Sequence, residues 1–217
     1  MLVLLPPSEG KTAPEAGASV QLGALAFAEQ LGERREEVLD ALDPRLREAP
    51  AAPAAEVYTG VLFKRLELPR LPARAQRRVL IASALWGVVR PEDRIPHYKL
   101  PPKEKLEGIG PLAKFWRPAL AAALPDKQGE LIVDMRSGAY STMWKPKRAT
   151  LLAVRAFTES DGERKAVSHM AKAVRGDLAR ALLEAKKAPA DPEAAAAIAE
   201  AAGFTVELSD GNLDVIV

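Results

Sequence analysis

The sequence predicts a mixed α/β fold: a single domain with a central mixed β-sheet flanked by helices and a β-hairpin near the end. Three observations predict it. Short apolar runs at 1–5, 79–85 and 130–135 have the length of buried strands. Between and after them lie stretches with apolar residues at helical spacing, at 20–42, 111–124 and 168–187. Finally, 204–208 and 213–217, joined by Ser209-Asp210-Gly211-Asn212, read as a hairpin. The 217 residues suit one domain with a core of useful size, and no internal repeat divides them.

In chain order, residues 1–5 form the first strand and Pro6-Pro7 stop it. The apolar start lacks a basic leader and a small-residue cleavage site, so it reads as a strand and not as a signal peptide. Residues 20–42 read as two helices divided at Gly32, with Asp43-Pro44 ending the second. The Ala- and Pro-rich stretch 45–55 reads as a mobile surface loop. Gly60 eases a helix start, and 71–78 is a short helix leading into the strand at 79. Gly108-Ile109-Gly110-Pro111 before an Ala-rich helix resembles the hairpin of a helix-hairpin-helix element, whose amides receive a DNA phosphate. The helix before it would have to fit between Pro102 and Gly108, about a turn and a half. Phe115 and Trp116 are expected to pack. Residues 150–157 and 164–168 flank the turn signal Ser160-Asp161-Gly162 and form another hairpin. Asp191-Pro192 caps a last helix, and Gly203 closes it.

Composition narrows the function classes. Hydrophobic residues make up 48% and charged residues 28%, the balance of a globular protein. No run of about 18 apolar residues exists, so no membrane partner is expected. Without cysteine there is no disulfide, thiolate metal site or cysteine nucleophile, which suits the cytoplasm. The histidines, His97 and His169, carry no metal spacing, so neither a metal nor any cofactor is expected. A serine triad lacks its Gly-x-Ser-x-Gly elbow, while general acid/base chemistry stays open. The formal charge is only +2, but residues 70–117 hold eleven basic and four acidic residues. That excess favours an anionic partner, either nucleic acid or a phosphate-bearing small molecule.

The candidate binding residues stand where strands end. The first strand opens onto Ser8, Lys11 and Thr12, with Gly10 allowing close backbone approach. The ending Gly-Lys-Thr is not a P-loop, because Leu5 stands where the first glycine belongs and no helix follows. Hydroxyls and an ammonium there suit a carboxylate or phosphate, though a solvated loop has the same composition. The run at 79–85 breaks at Trp86-Gly87, read as support for the turn, and then presents Arg90, His97 and Tyr98. The run at 130–135 opens onto Ser137 and Tyr140, then Lys145 and Lys147. The Tyr58-Thr59-Gly60 cluster can place a phenol and a hydroxyl at a pocket wall, or Tyr58 can simply pack. On the helix at 168–187, His169, Lys172, Gly176 and Arg180 share one face, with Arg175 beside it. Arg90 and Tyr98 are expected as ligand contacts in one shared cleft.

Several short motifs, in a fixed order along nearly the whole chain, resemble the YaaA family of peroxide-stress proteins. They are MLVLLPPSEGKT at 1–12, VYTG at 57–60, LWGVVRP at 85–91, HYKL at 97–100 and FW at 115–116. IVDMRSGAY at 132–140, Lys145-Pro146-Lys147 and SHMAKAVRG at 168–176 complete them. The resemblance implies one α/β domain of unusual topology with a basic cleft, DNA binding, and a role in limiting free iron during peroxide stress. Carried over by position, its motif residues are Ser8, Lys11, Thr12, Tyr58, Gly60, Arg90, Pro91, Tyr98, Ser137 and Tyr140. Lys145, Lys147, Lys172, Arg175 and Gly176 complete that set. The family's first motif is written Ser-Pro-Ala-Lys-Thr, so the residues before the lysine differ here. Two partners follow as expectations: duplex DNA, or a nucleotide-like anion on which an enzyme would act. An interaction protein with no small-molecule chemistry is the third reading.

Overall fold

The computed structural model describes residues 1–160, 163–166 and 170–217. Its elements in order are β1 (Leu2–Leu5), α1 (Ala28–Leu42), β2 (Ala51–Pro53), α2 (Ala54–Val57), α3 (Val61–Leu66) and α4 (Ala73–Gln76). Next come β3 (Val79–Ser83), β4 (Gly87–Val89), β5 (Arg94–Pro96), β6 (Lys105–Leu106), β7 (Gly110–Pro111), α5 (Leu112–Ala123) and β8 (Leu131–Asp134). The chain closes with β9 (Thr150–Ser160), β10 (Glu163–Ala166), α6 (Met170–Glu184), α7 (Pro192–Ala201), β11 (Thr205–Ser209) and β12 (Asn212–Ile216).

The main sheet is mixed, with strand order β11-β12-β9-β8-β1-β3-β4 and β10 paired to β9. The apolar run at the N-terminus is an interior strand, parallel to β3 on one side and β8 on the other. Such a strand is buried on both faces, which is why it reads as unbroken Leu and Val. The β8–β9 and β9–β12 pairs are also parallel. The C-terminal hairpin β11–β12 and the β9–β10 hairpin form as expected.

Connections from β1 run to one side, toward β3, while β8 continues to the other, into β9. Neighbouring parallel strands whose connections diverge leave a crevice beyond their carboxyl ends. Here that crevice lies between β1 and β8, so Pro6 to Thr12 and the segment after Asp134 border it.

Four local expectations are corrected. Residues 28–42 form one continuous helix through Gly32, because its core face, with Leu31, Arg35, Val38 and Leu39 buried, continues past the glycine. Residues 45–55 are not a loose loop: Ala51, Ala54 and Ala55 are buried, and β2 pairs antiparallel with β5. Small alanines let this segment lie close against the core. The element before Gly108 is not a helix. Lys105 and Leu106 pair with Pro111 and Gly110 in a two-strand hairpin, so no helix-hairpin-helix forms there. The cause is length, since Pro101-Pro102 leave too few residues for a helix. Arg90, finally, does not lie with Tyr98. The β3–β4 hairpin reverses the chain at Trp86-Gly87, and Ile81 pairs with Val89, so Arg90 returns to the amino end of β3.

The turn itself is packed as expected. Trp116 is buried and its indole N–H donates to Ala84 O at 2.8 Å. Gly87 has φ of 71°, and a Cβ there would stand 2.7 Å from the Trp116 ring, so only glycine fits. The fully buried Arg35 reaches the same turn and donates to Trp86 O and Val88 O. Asp191 caps α7 through Ala194 N–H at 2.8 Å.

Candidate functional site

All three of the chain's tyrosines meet at the carboxyl end of the central strands. The pairing of β2 with β5 delivers two of them. From β2 the chain passes through α2 to Tyr58, and from β5 it reaches Tyr98 two residues on. Residues forty positions apart thus place their phenol oxygens 2.8 Å from each other. The Tyr98 hydroxyl is also 2.8 Å from Ser83 Oγ, at the last residue of β3. Ser83 in turn accepts the Trp86 N–H at 3.0 Å. The result is a buried chain of hydroxyls with every member engaged, the condition for placing polar groups in a core.

Burial sets the protonation of these phenols. Desolvation pushes Tyr98 up to about 12, although its bonds to Ser83 and Tyr58 oppose the shift. Tyr58 is raised well above its ordinary value, first by burial and then by Tyr98. Tyr140, half-buried after β8, is raised by burial, by Tyr98 and by Glu9. All three are neutral hydroxyls near pH 7.

Lys11 covers this cluster. Its ammonium lies 4.5 Å from the Tyr98 ring centroid and 5.8 Å from that of Tyr58. Nζ donates to Ser8 O at 2.6 Å. Burial pulls the Lys11 pKa down, with Glu9 acting weakly the other way. The loop carrying it is pinned to the start of α3. Gly60 N–H donates to Ser8 Oγ at 2.7 Å, and Lys11 makes a bridge with Tyr58. A Cβ on Gly60 would stand 2.3 Å from Ser8 Oγ. Thr12 and Thr59 bring their hydroxyls to 3.4 Å. On the outer side Lys172 reaches Glu9 at 3.3 Å.

Across the crevice, the β8 end is held by a buried ion pair. Arg136 binds Asp134 through two bonds of 2.8 and 2.9 Å and donates to Trp144 O at 2.7 Å. Asp134 is therefore occupied as an acceptor. Arg175, drawn down by burial and supported by Asp134, donates to Val154 O at 3.1 Å. Ser137 is exposed, and Lys145 and Lys147 extend into solvent from the following segment.

The sequence-predicted residues separate into two groups. Ser8, Lys11, Thr12, Tyr58, Tyr98 and Tyr140 converge, with Lys172 linked through Glu9. Ser137 borders the same end from β8, and Arg175 supports β9. Lys145 leads away from that end, and Lys147 lies at the amino end of the sheet, where its N–H meets Asp126 just before β9 starts beside Leu131. Arg90 stands apart: its guanidinium donates to Arg77 O at 3.0 Å and lies 5.6 Å from the Phe27 ring centroid. His169 lies outside the described residues. His97 is exposed. Ser83 was not singled out from the sequence. The signal for it was present, as a hydroxyl inside an otherwise apolar run.

Among the described residues, no three of His, Asp and Glu converge as metal ligands. Two open concavities, of about 300 and 280 Å³, lie elsewhere and include none of these groups. What the arrangement offers is a half-buried ammonium and neutral hydroxyls, with the exposed Lys172 at its edge, which is a donor set for anions.

A family model described as peroxide stress protein YaaA matches residues 21–209. A UPF0246 protein of Streptomyces coelicolor is 39% identical, covering 95% of this chain and 92% of its own. One of Corynebacterium efficiens is 37% identical, covering 100% and 98%. An uncharacterized protein of Campylobacter jejuni is 32% identical over 69% of this chain and 61% of its own. The loop bearing Ser8 and Lys11 precedes the matched family span but falls within the Corynebacterium alignment.

Proposed function

Because this chain belongs to the YaaA family of peroxide stress proteins, we propose that it serves that response by binding DNA through its phosphates. The surface is the connection from β8 to β9, which leaves the carboxyl end of β8 and returns to the amino end of β9. One observation carries the reading: cations on this connection stand free while nearby carboxylates are engaged. Lys145, Lys147 and Arg148 are exposed, and no carboxylate pairs with their side chains among the described residues. Asp134 is bound by Arg136, and Asp126 accepts the N–H groups of Lys147, Arg148 and Ala149 at 2.8 Å each. Glu9 faces Lys172. A zone whose acids are occupied by local partners and whose cations remain solvated attracts a polyanion.

Any effect on free iron is indirect in this reading, because a chain with no cysteine and two histidines is poorly supplied with iron ligands. Cytoplasmic residence accords with a nucleic-acid partner.

Salt titration of duplex affinity tests the proposal. Wild type should lose affinity steeply as salt rises, and Lys145→Ala with Lys147→Ala should lower the log–log slope by about 2. Arg74→Ala with Arg77→Ala, at the amino end of β3, should leave it unchanged. A flat salt response, or a slope change confined to the Arg74/Arg77 variant, would defeat this assignment.

A further inference from the structure

The loop after β1 contains more donors than its own fold uses. Among the described residues, the backbone N–H groups of Glu9, Gly10 and Lys11 have no acceptor, whereas Thr12 N–H donates to Val57 O. Lys11 uses one ammonium hydrogen on Ser8 O and forms no carboxylate ion pair among the described residues. Its neighbour Glu9 is drawn outward by Lys172. A partly buried ammonium without a counter-ion carries an uncompensated desolvation cost, which a bound anion would relieve.

The position matters as much as the donors. This loop borders the β1–β8 crevice, where the connections of adjacent parallel strands diverge. Its shape is held by Ser8 Oγ on Gly60 N–H and by the Lys11–Tyr58 bridge. The Tyr98 ring beneath Lys11 fixes the ammonium over a rigid floor.

We propose that this loop is a receptor for a phosphate monoester, with Lys11 and the amides of Glu9, Gly10 and Lys11 as its donors. Thr12 and Thr59 supply hydroxyls at its edge. A monoester fits better than a diester for two reasons. Its dianion interacts about twice as strongly with one ammonium, and its three terminal oxygens can take the converging donors. The proposal rests on the reading that this protein binds DNA phosphates, and it deepens it. The exposed cations of the β8–β9 connection track a backbone, whereas Lys11 selects an end. The chemistry is shared by a 5′-phosphorylated DNA terminus and a free nucleoside monophosphate.

Thermal shift and duplex affinity measured together test it. Thymidine 5′-monophosphate should raise the melting temperature saturably, and its methyl diester should do so far less. A 5′-phosphorylated duplex should bind about tenfold more tightly than the 5′-hydroxyl duplex. Lys11→Met, with Lys11→Gln as a second variant, should abolish both differences and keep the native circular dichroism. Equal responses to monoester and diester, or discrimination that survives both variants, would overturn the proposal. If the monophosphate stabilises but duplex ends are not distinguished, the source is a free nucleotide and the site stands. If no duplex binds while the monophosphate does, the DNA reading fails and the receptor remains. If duplexes bind regardless of their ends and the monophosphate has no effect, the DNA reading remains and the receptor fails.

Discussion

The two ends of the parallel sheet are both rich in cations, yet they use them differently. At the amino end of β3, arginines largely complete the fold. Arg90 donates to Arg77 O at 3.0 Å, Arg78 donates to Leu183 O at 2.5 Å, and Arg70 pairs with Glu67. At the carboxyl end, Lys11 is held over tyrosine rings without a carboxylate partner among the described residues. A guanidinium has five donors in a fixed fork and readily serves backbone carbonyls. An ammonium on a flexible stem is more easily left free. Cation density along the chain therefore overstates the ligand surface at one end and understates it at the other.

The largest effect should come from the framework of the carboxyl end. Asp134→Ala leaves Arg136 as a buried charge without its partner, both side chains being under 5% exposed. Urea unfolding should show a loss of about 3–5 kcal/mol. A loss below about 1 kcal/mol would mean that this end is as loosely held as its solvated rim.

A smaller effect separates two facing glycines, Gly10 and Gly60. Gly60→Ala drives a Cβ into Ser8 Oγ and should cost about 1–3 kcal/mol by displacing that bond. Gly10→Ala meets Gly60 only at 3.5 Å, an ordinary contact, and should retain stability. Equal costs for the two would show that the Ser8–Gly60 contact does not set the loop.

The tyrosine cluster gives the gentlest probe, by ultraviolet titration of phenolate. Because all three phenols are raised in the folded protein, little ionisation should appear at pH 10 until the protein is unfolded. The sign follows from proton binding. Above the ordinary value of 10.0 the unfolded chain releases protons that the folded one retains. Stability is thus full below pH 10 and falls as pH rises toward the Tyr98 value of about 12. A phenol titrating normally in the native protein would break the contrast between a dry floor and a wet rim.

Much of the fold was legible because its signals are local. The runs at 1–5, 79–85 and 130–135 are strands because unbroken apolar residues need both faces covered. Asp191-Pro192 starts a helix, and the Ser209–Asn212 turn makes a hairpin, from the chemistry of a few adjacent residues. Alanines at 51–55 carry no such signal: their burial depends on β5, which lies forty residues away. The same limit hid Ser83, whose role exists only because Tyr98 reaches it.

By itself, then, the sequence determined the mixed α/β class, the strand ends that bear Ser8, Lys11, Ser137 and Tyr140, and the kinship of the chain. Only the tertiary structure decided which of those groups meet. The reversal at Trp86-Gly87 carried Arg90 away, and the β2–β5 pairing brought Tyr58 onto Tyr98. The physical reason is that apolar patterning specifies which residues are buried, whereas strand pairing between distant segments specifies their neighbours.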